Sequence, residues 1–596
     1  MKKRNGGLVL ALSLLLGMTV LVAEPYMNKQ MIYSLDSDVY EAIAVLYMDQ
    51  GLSLPSTTGP YSQAELQLML EKLNSARFGE TAKATYDYIC GQLDIQPKIP
   101  AKGVGFSWNV GANVETYLHT NTTDFTTRDA WIRGYNQQKP LLSIGLETWP
   151  GKNFYGYSEF TVANNNHLQN VFGSSVFGTN VLMVPPNVLG DLDMNMPYRA
   201  FVAAGGDYWS FQLGRDRMNW GAGVSGNMML GDNIKYHNMA RFTAFGSKFK
   251  YTFVTSFFPH PKEYMDYTTH DATTAKGNQR NLLDGISMYM AHRLEWRMFK
   301  DKVGFALTES IMYQSEENYL DLRILNPAAI FHDYYIRSNA NSLLGFELDY
   351  TPINNLNVYG QVVVDEFALP GETIPSTSDS GFPLAFGYLG GVKYTKPLPK
   401  DNLVLKASFE AAYTDPYLYL RYSKSGGDGV TATDLKGDTY GLDYVVAVRE
   451  YNGNDKVYYN AAFLGYTYGC DAIAFNLNGG VKQYGKWNAE ANVFYMIHGT
   501  HDMYTAWTQT GGTTGDNEFH SPTTSHPTAN AADSTAQTTR NSAYHLLVAG
   551  VHGSYEINTH FSVYGQVDYI HIKNYKNVSG KNTNDVQLTL GVSYSM

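Results

Sequence analysis

The chain contains few cysteines and few charged residues for its length of 596 residues. Its two cysteines, Cys90 and Cys470, lie far apart, which excludes a disulfide framework, and no C-x-x-C pair marks a metal or redox site. Charged residues make up 17% of the chain. The net charge of −11 argues against nucleic acid or an anionic membrane surface as a partner.

Recognisable catalytic motifs are also missing. The chain has no G-x-S-x-G nucleophile elbow and no Walker loop. His498 and His501 have a His-x-x-His spacing, but we expect no acidic partner in the loop that carries them and therefore no metal site. We predict that the protein is not an enzyme and has no catalytic residues, metal or cofactor.

Long apolar runs are absent beyond the N-terminus, so no membrane-spanning helix is predicted in the rest of the chain. The N-terminus has cationic residues at positions 2–4, an apolar run from Leu8 to Val22 and a small residue at Ala23. This arrangement is typical of a secretory signal peptide. We therefore predict that residues 1–23 are a signal peptide and that the protein is exported.

Tyrosine, phenylalanine and glycine are abundant, at 46, 28 and 55 residues. Together with many short alternating segments, this composition is typical of outer-membrane β-barrels, whose aromatic rings lie at both membrane interfaces. A large soluble β-propeller or β-helix is the alternative class. No repeat of fixed period supports that alternative.

Residues 24–102 differ from the rest because helical patterns dominate there. The first predicted helix has Ser37 as its N-cap, and the second has Ser62 with Glu65 at the capping-box position. A third helix is predicted from Glu80 to Leu93. We predict a small helical domain on the periplasmic side of the membrane.

Residues 103–596 contain at least ten segments with a strand pattern, separated by turn clusters. In the last one, Val586–Met596, apolar side chains alternate with small or polar ones, as a strand between lipid and a lumen requires. Closure into a barrel leaves no unpaired strand edge in lipid. We predict an all-β transmembrane antiparallel β-barrel of about 16 to 20 strands, with external loops that include residues 260–282 and 421–438.

A basic, glycine-rich stretch interrupts this pattern at Tyr208–Asn227. On a regular strand Arg215 and Arg217 would face lipid, at a cost of about 2 to 4 kcal/mol each near the bilayer midplane. A bulge at Gly214, or the end of the strand, must therefore place them at the lumen or an aqueous rim. With Trp220 as an aromatic platform for a sugar, they form a candidate binding site. An internal salt-bridge network is the alternative.

Three further polar residues are candidates. His332 lies in an aromatic-rich turn and is a candidate for a glycan subsite, with packing at the barrel rim as the alternative. Asp365 and Glu366 are adjacent, so on a strand they point to opposite faces and cannot form an acid/base pair in one lumen. We expect one of them to cap the strand at the water boundary and the other to pair with a lumenal arginine.

Five segments follow one another along the chain: "DMNMPYRAFVAAGGDYWSFQLGRDRMNWGAG…LGDN", "AHRLEWRMFKDKVGFALTES", "LNPAAIFHDYY…NSLLGFELDYTP", "LNVYGQVVVDEF" and "LGGVKYTKPLPKDNLVLKASFEAAYTDPYLY". In this order they resemble the Wzi-like capsule-assembly outer-membrane family. The family has a G-R-x-x-x-x-W-G-x-G segment followed by an apolar residue and an asparagine. The corresponding positions here are Gly214, Arg215, Trp220, Gly221, Gly223, Leu230 and Asn233.

The resemblance covers Asp193–Tyr419 and implies a barrel of about 18 strands that acts as a surface lectin for polysaccharide. We carry no ligand residue across from the family, because its external loops do not match this chain.

Our functional hypothesis is a monomeric outer-membrane barrel, surrounded by outer-membrane lipid, that binds extracellular or capsular polysaccharide and attaches or organises it at the cell surface. The helical domain would then recruit a periplasmic partner. A diffusion porin or substrate channel, with arginines at its constriction, is the alternative. The candidate lumenal or polysaccharide-binding residues are Arg215, Arg217, Trp220, Asn233, His332, Asp365 and Glu366.

Overall fold

The computed structural model describes residues 28–101, 103–121, 123–125, 139–164, 177–180, 192–193, 198–259, 286–315, 340–366, 380–381, 385–420, 443–451, 457–503, 510–511 and 541–596. The predicted signal peptide, the predicted loops 260–282 and 421–438, and His332 lie outside the described residues. Among the described residues, no helix is long and apolar enough to cross a membrane.

Three helices precede the strands: α1 (Asp38–Asp49), α2 (Gln63–Glu71) and α3 (Glu80–Leu93). The predicted N-caps are confirmed, because Ser37 Oγ accepts the Val39 N–H at 3.4 Å and Ser62 Oγ accepts the Glu65 N–H at 3.3 Å. The Glu65 carboxylate accepts a hydrogen bond from Lys250 of the barrel wall. The capping box is therefore half formed, and its acidic member holds the helices to the barrel.

Eighteen antiparallel strands form a closed barrel, which confirms the predicted fold class. In chain order they are β1 (Val104–His119), β2 (Leu142–Pro150), β3 (Phe154–Asn164), β4 (Ala200–Gly205), β5 (Trp209–Asp216), β6 (His237–Phe245), β7 (Phe249–Phe258), β8 (Ile286–Met298), β9 (Val303–Ser315), β10 (Ala340–Ile353), β11 (Leu356–Glu366), β12 (Ala385–Pro397), β13 (Val404–Thr414), β14 (Ala472–Gln483), β15 (Trp487–His498), β16 (Tyr544–Glu556), β17 (Phe561–Lys573) and β18 (Thr583–Ser595). Each strand pairs with the next, and β18 pairs with β1.

The two faces of the wall differ as a membrane barrel requires. On β18, Val586, Leu590 and Val592 are 39%, 49% and 46% exposed, whereas Gln587 is 3% exposed and faces the lumen. The predicted faces of the last strand are therefore confirmed. The same outward apolar pattern recurs around the barrel, at Leu146, Phe160, Val202, Leu213, Leu348, Phe409, Leu477, Val551 and Val567.

The two ends of the barrel also differ. Short turns join the strands at one end, which we call the helical end because the helices pack there. Ser53 N donates to Asp301 O in the β8–β9 turn at 2.8 Å, and Asn354 in the β10–β11 turn donates to Asp49 O at 2.8 Å. Longer connections lie at the opposite end, the loop end.

The lumen is filled from both ends. Residues Ser53–Pro60, the N-terminal segment, run from α1 into the lumen, and residues Arg217–Tyr236, the in-folded loop, connect β5 and β6 and turn inward. They meet as a two-stranded antiparallel sheet in which Thr58 pairs with Trp220. The side chains of both residues are completely buried.

Candidate functional site

Arg215 lies at the edge of the in-folded loop, one residue before β5 ends. The pairing of β5 with β4 and β6 continues without a shift across Gly214, so no bulge separates the arginine from the lipid-facing positions. Its Nε donates to Asn238 Oδ1 at 2.8 Å, and its guanidinium lies 4.4 Å from the centre of the Tyr236 ring. Of the two predicted alternatives, the end of the strand therefore places Arg215 at the rim.

Arg217 belongs to an ion-pair network. Its Nε donates to Asp232 Oδ1 at 2.9 Å, its Nη2 donates to the second oxygen of the same carboxylate, and its Nη1 donates to Asp36 Oδ2 at 2.7 Å. The planar guanidinium fork thus joins the in-folded loop to the residues just before α1. This geometry supports the predicted salt-bridge alternative for Arg217.

Trp220 is completely buried, so its ring has no exposed face on which a sugar could stack. Its backbone N donates to Leu230 O at 2.9 Å, and Gly221 N donates to Thr57 O at 2.7 Å. Gly221 has φ +139°, and a Cβ there would approach Asn227 Oδ1 within 2.1 Å. Position 221 therefore requires glycine, because a side chain there would prevent the close packing of the in-folded loop beside Trp220.

The barrel wall holds the in-folded loop through lumenal side chains that the sequence did not single out. Glu410 on β13 accepts the N–H groups of Val224 and Ser225 at 2.7 and 2.8 Å. Gln361 on β11 accepts the N–H of Met228 at 2.8 Å. The sequence does carry a signal for Glu410 and Gln361, because each is a polar residue at a lumen-facing position of a membrane strand.

Asn233 connects the in-folded loop to the loop end. Its Nδ2 donates to Phe463 O at 3.0 Å and to Gly465 O at 2.8 Å, and its Oδ1 accepts from Thr467 Oγ1 at 2.8 Å. Phe463 ends a two-stranded hairpin formed by Val445–Tyr451 and Val457–Phe463. Asn233 therefore positions a loop-end hairpin, and its predicted part in binding stays a prediction.

Asp365 lies at a lumenal position near the end of β11, and its Oδ2 accepts the Tyr419 N–H at 2.7 Å. The pairing of β11 with β12 shifts register between Val364 and Glu366. Asp365 thus binds a backbone N–H of a distant residue from a buried position, and capping of the strand at the water boundary stays a prediction. Pairing of the other carboxylate with a lumenal arginine also stays a prediction.

The histidine pair at the start of the β15–β16 connection has an acidic neighbour, contrary to our expectation. Asp471 Oδ2 lies 3.4 Å from His501 Nδ1 and accepts the His501 N–H at 3.0 Å, and Asp502 follows directly in the chain. Burial raises the pKa of the Asp471 carboxyl, but His501 outweighs this effect and holds the pKa below its usual value. Across the described residues no group of three or more His, Cys, Asp or Glu side chains is arranged to hold a metal.

One side of the lumen, the anchoring wall of β8 and β10, binds the N-terminal segment through buried charges. Arg293 is 2% exposed and lies 3.2 Å from Glu295 and 3.0 Å from Glu347. Its Nη2 also donates to Thr57 Oγ1 at 2.7 Å, and that hydroxyl donates to Glu347. Every charge named here has an opposite charge or a hydroxyl of the segment as partner, as burial requires.

The other side, the cavity wall of β12–β15, contacts α1 through ion pairs and leaves a cavity beside them. Lys406 Nζ lies 3.0 Å from Glu41 of α1 and 2.6 Å from Glu490, and Lys482 lies 2.7 Å from Asp38. A cavity of about 440 Å³ remains between this wall, α1 and the in-folded loop. Burial raises the pKa of Glu41, but Lys406 and Lys482 outweigh it, so the pKa lies below its ordinary value.

No protein-family profile matches the chain, and neither does the sequence of any curated protein searched. Among solved structures, it is similar to Wzi, an outer-membrane protein involved in group 1 capsule assembly in Escherichia coli and described as a carbohydrate-binding β-barrel. The TM-score is 0.54 at 14% identity, over 94% of this chain and 98% of that one.

Two further solved structures are less similar. The outer-membrane channel DcaP of Acinetobacter baumannii has a TM-score of 0.34 at 9% identity, over 84% of this chain and 100% of its own. OccD1 (OprD) has a TM-score of 0.35 at 8% identity, over 82% and 95%. At 14% identity the likeness to Wzi shows the fold alone, and with the observed strand pairing it makes the chain a closed β-barrel of the outer-membrane type.

Proposed function

We propose that the protein is a non-enzymatic outer-membrane barrel that binds a long extracellular polysaccharide at its loop end and helps to attach it to the cell surface. The observation that carries this proposal is the filled lumen. Thr58 of the N-terminal segment and Trp220 of the in-folded loop pair across it, and both are completely buried. A pore needs a continuous polar path, whereas a surface-binding barrel does not.

The likeness to Wzi supports the same conclusion, since it extends over nearly the whole of both chains and Wzi is described as carbohydrate-binding. In this proposal residues 1–23 direct export, the helical domain of residues 24–102 faces the periplasm, where a periplasmic partner has access to it, and the barrel of residues 103–596 spans the outer membrane. The exposed apolar side chains of the outer wall fit this placement.

We also assign different parts to the predicted site residues in this proposal. Arg217 and Trp220 stabilise the in-folded loop, and Asn233 holds the loop-end hairpin above it. Arg215 lies near the end of β5, at the rim, where a ligand outside the barrel would have access to it. We therefore expect Arg215→Gln to weaken polysaccharide binding without changing the fold.

The test is capture of surface polysaccharide from the producing organism by the refolded full chain, measured by calorimetry and pull-down. We expect saturable binding that the same polysaccharide competes and unrelated polysaccharides do not. Planar-bilayer recordings on the same preparation should show no steady single-channel steps. Steady steps together with no capture would overturn the proposal in favour of a porin.

A further inference from the structure

The cavity on the helical side of the in-folded loop has the size of a ligand site. It measures about 440 Å³ and lies between α1, the N-terminal segment, the in-folded loop and strands β12–β15. Small-molecule pockets in proteins typically occupy about 300 to 1,000 Å³. We call α1, the N-terminal segment and the in-folded loop together the plug. Its buried Trp220 lies between the cavity and the loop end, so the cavity is distinct from the polysaccharide surface proposed above.

The lining of the cavity is amphipathic. Ala44, Val45 and Met48 of α1 and Leu54 of the N-terminal segment form an apolar side. Polar side chains of the barrel wall form the other side: Lys393, Lys406, Ser408, Asn478 and Glu490. A ligand that fits both sides has an apolar face and a hydrogen-bonding edge.

The charged groups of the lining already have partners. Lys406 lies between Glu41 and Glu490. Lys393 Nζ donates to Ala222 O of the in-folded loop and lies 4.8 Å from the centre of the Tyr359 ring. A charged ligand would have to break these contacts at a desolvation cost.

The polar groups that remain are neutral. The side chains of Ser408 and Asn478 line the cavity and make no hydrogen bond within the part of the chain that the structure describes. A hydroxyl and an amide offer both donors and acceptors at this wall. They suit the hydroxyl groups of an uncharged ligand.

We propose that this cavity binds a neutral, hydroxyl-rich ligand of one or two sugar rings. The apolar side of α1 would cover the C–H face of a ring, and Ser408 and Asn478 would bind its hydroxyl groups. The choice of a sugar rests in part on the proposed function, and it adds a second carbohydrate site on the helical side of the plug.

The test uses the full-length barrel refolded in detergent in the presence of glucose, N-acetylglucosamine or maltose, with binding measured by calorimetry and by saturation-transfer NMR. We expect at least one of the three sugars to bind saturably. Replacing both free polar groups, in a Ser408→Ala and Asn478→Ala double variant, should weaken binding roughly tenfold or more. A matched control, Ser562→Ala with Asn153→Ala, changes positions that do not line the cavity and should bind as the wild type does.

A second variant fills the space instead of removing hydrogen bonds. Ala44→Trp places an indole in the cavity and should abolish sugar binding; if it does not fold, the double variant decides alone. No binding of any of the three sugars, or equal binding by the wild type and the double variant, would overturn the proposal. Capture of surface polysaccharide should persist in the double variant, so failure of this site and failure of the loop-end function are distinguishable.

Discussion

The two walls of the lumen hold the same plug in different ways. The anchoring wall binds the N-terminal segment through side chains that are almost completely buried, with Arg293 2% and Glu295 2% exposed. Across the cavity wall, the carboxylates of α1 are partly exposed, at 45% for Asp38 and 37% for Glu41. The anchoring wall thus holds the N-terminal segment through buried charges, whereas the cavity wall holds α1 through partly exposed carboxylates that border a cavity.

This difference suggests that the anchoring wall stabilises the fold and that the cavity wall provides space for a ligand. A buried charge that loses its partner is costly, so the anchoring wall tolerates little change. Partly exposed ion pairs contribute less, so the pairs between α1 and the cavity wall should tolerate more change. Four variants, from the largest expected effect to the smallest, test this division.

The largest effect should come from Arg293→Ala on the anchoring wall. The substitution leaves Glu295 and Glu347 buried without their shared cation, so we expect the free energy of unfolding to fall by about 3 to 5 kcal/mol. Guanidinium unfolding in detergent micelles, followed by tryptophan fluorescence, measures it. A smaller loss than that of Lys406→Met would reverse the order of the two walls.

A weaker effect on the same wall should follow from Thr57→Val, which keeps the shape of the side chain. The hydroxyl bonds to two charged groups, Glu347 and Arg293, so we expect a loss of about 1.5 to 3 kcal/mol. Thr148→Val on β2, where Thr148 shares the outward parity of Leu146, is the control and should leave the unfolding midpoint unchanged. Equal midpoints for the two variants would show that the segment is not held by these bonds.

On the cavity wall, Lys406→Met should cost only about 1 kcal/mol. Its partner Glu41 is partly exposed and keeps Lys482 as a second cation. Its other partner, Glu490, is 14% exposed and keeps His552 at 3.7 Å. Because surface ion pairs are screened by salt, the difference from the wild type should shrink when salt is raised to about 1 M. If the full difference in the free energy of unfolding persists at high salt, water and ions reach this wall as little as they reach the anchoring wall.

The smallest effect should be a pH dependence carried by Glu41. Its pKa in the folded protein lies below the ordinary value of 4.5, so its contribution to stability is present above pH 4.5 and is lost as the pH falls through the folded value. We expect the protection factors of the α1 amides, which are corrected for the intrinsic pH dependence of exchange, to fall below pH 4.5 in the wild type and to change less in Glu41→Gln. The exposed Glu80 on α3 provides a control, since Glu80→Gln should keep the wild-type profile. If the Glu41→Gln profile is identical to that of the wild type, Glu41 does not cause the pH dependence.

Local chemistry made much of the fold predictable. The N-caps Ser37 and Ser62 act within one helical turn, and the alternation along Val586–Met596 is set by lipid on one side and lumen on the other. Such signals depend on residues close together in the chain and on whether each face meets water, lipid or the lumen. They therefore do not require knowledge of distant contacts. The helix bounds and the faces of the last strand follow from them.

The contents of the lumen depend on contacts between distant residues. Nothing near Thr58 indicates that it pairs with Trp220, and nothing near Val224 indicates that Glu410, 186 positions away, accepts its N–H. The same reason explains the missed partner of His501, since Asp471 lies 30 positions earlier. The sequence nevertheless indicated that the lumen holds paired charges. Arg293, Glu295 and Glu347 alternate with outward apolar residues, so they face the lumen, where buried charges require partners.

Closure of β18 onto β1 has a consequence for how the chain assembles. The seam joins residues at the two ends of the barrel sequence, with Ser593 bonding to Asn113 across 480 positions. Until the last strand is in place, the sheet is open along that line, and the N-terminal segment has a lateral path to β8 and β10. Contacts of such sequence separation make folding slow, and a plug laid down before closure avoids threading through a finished ring.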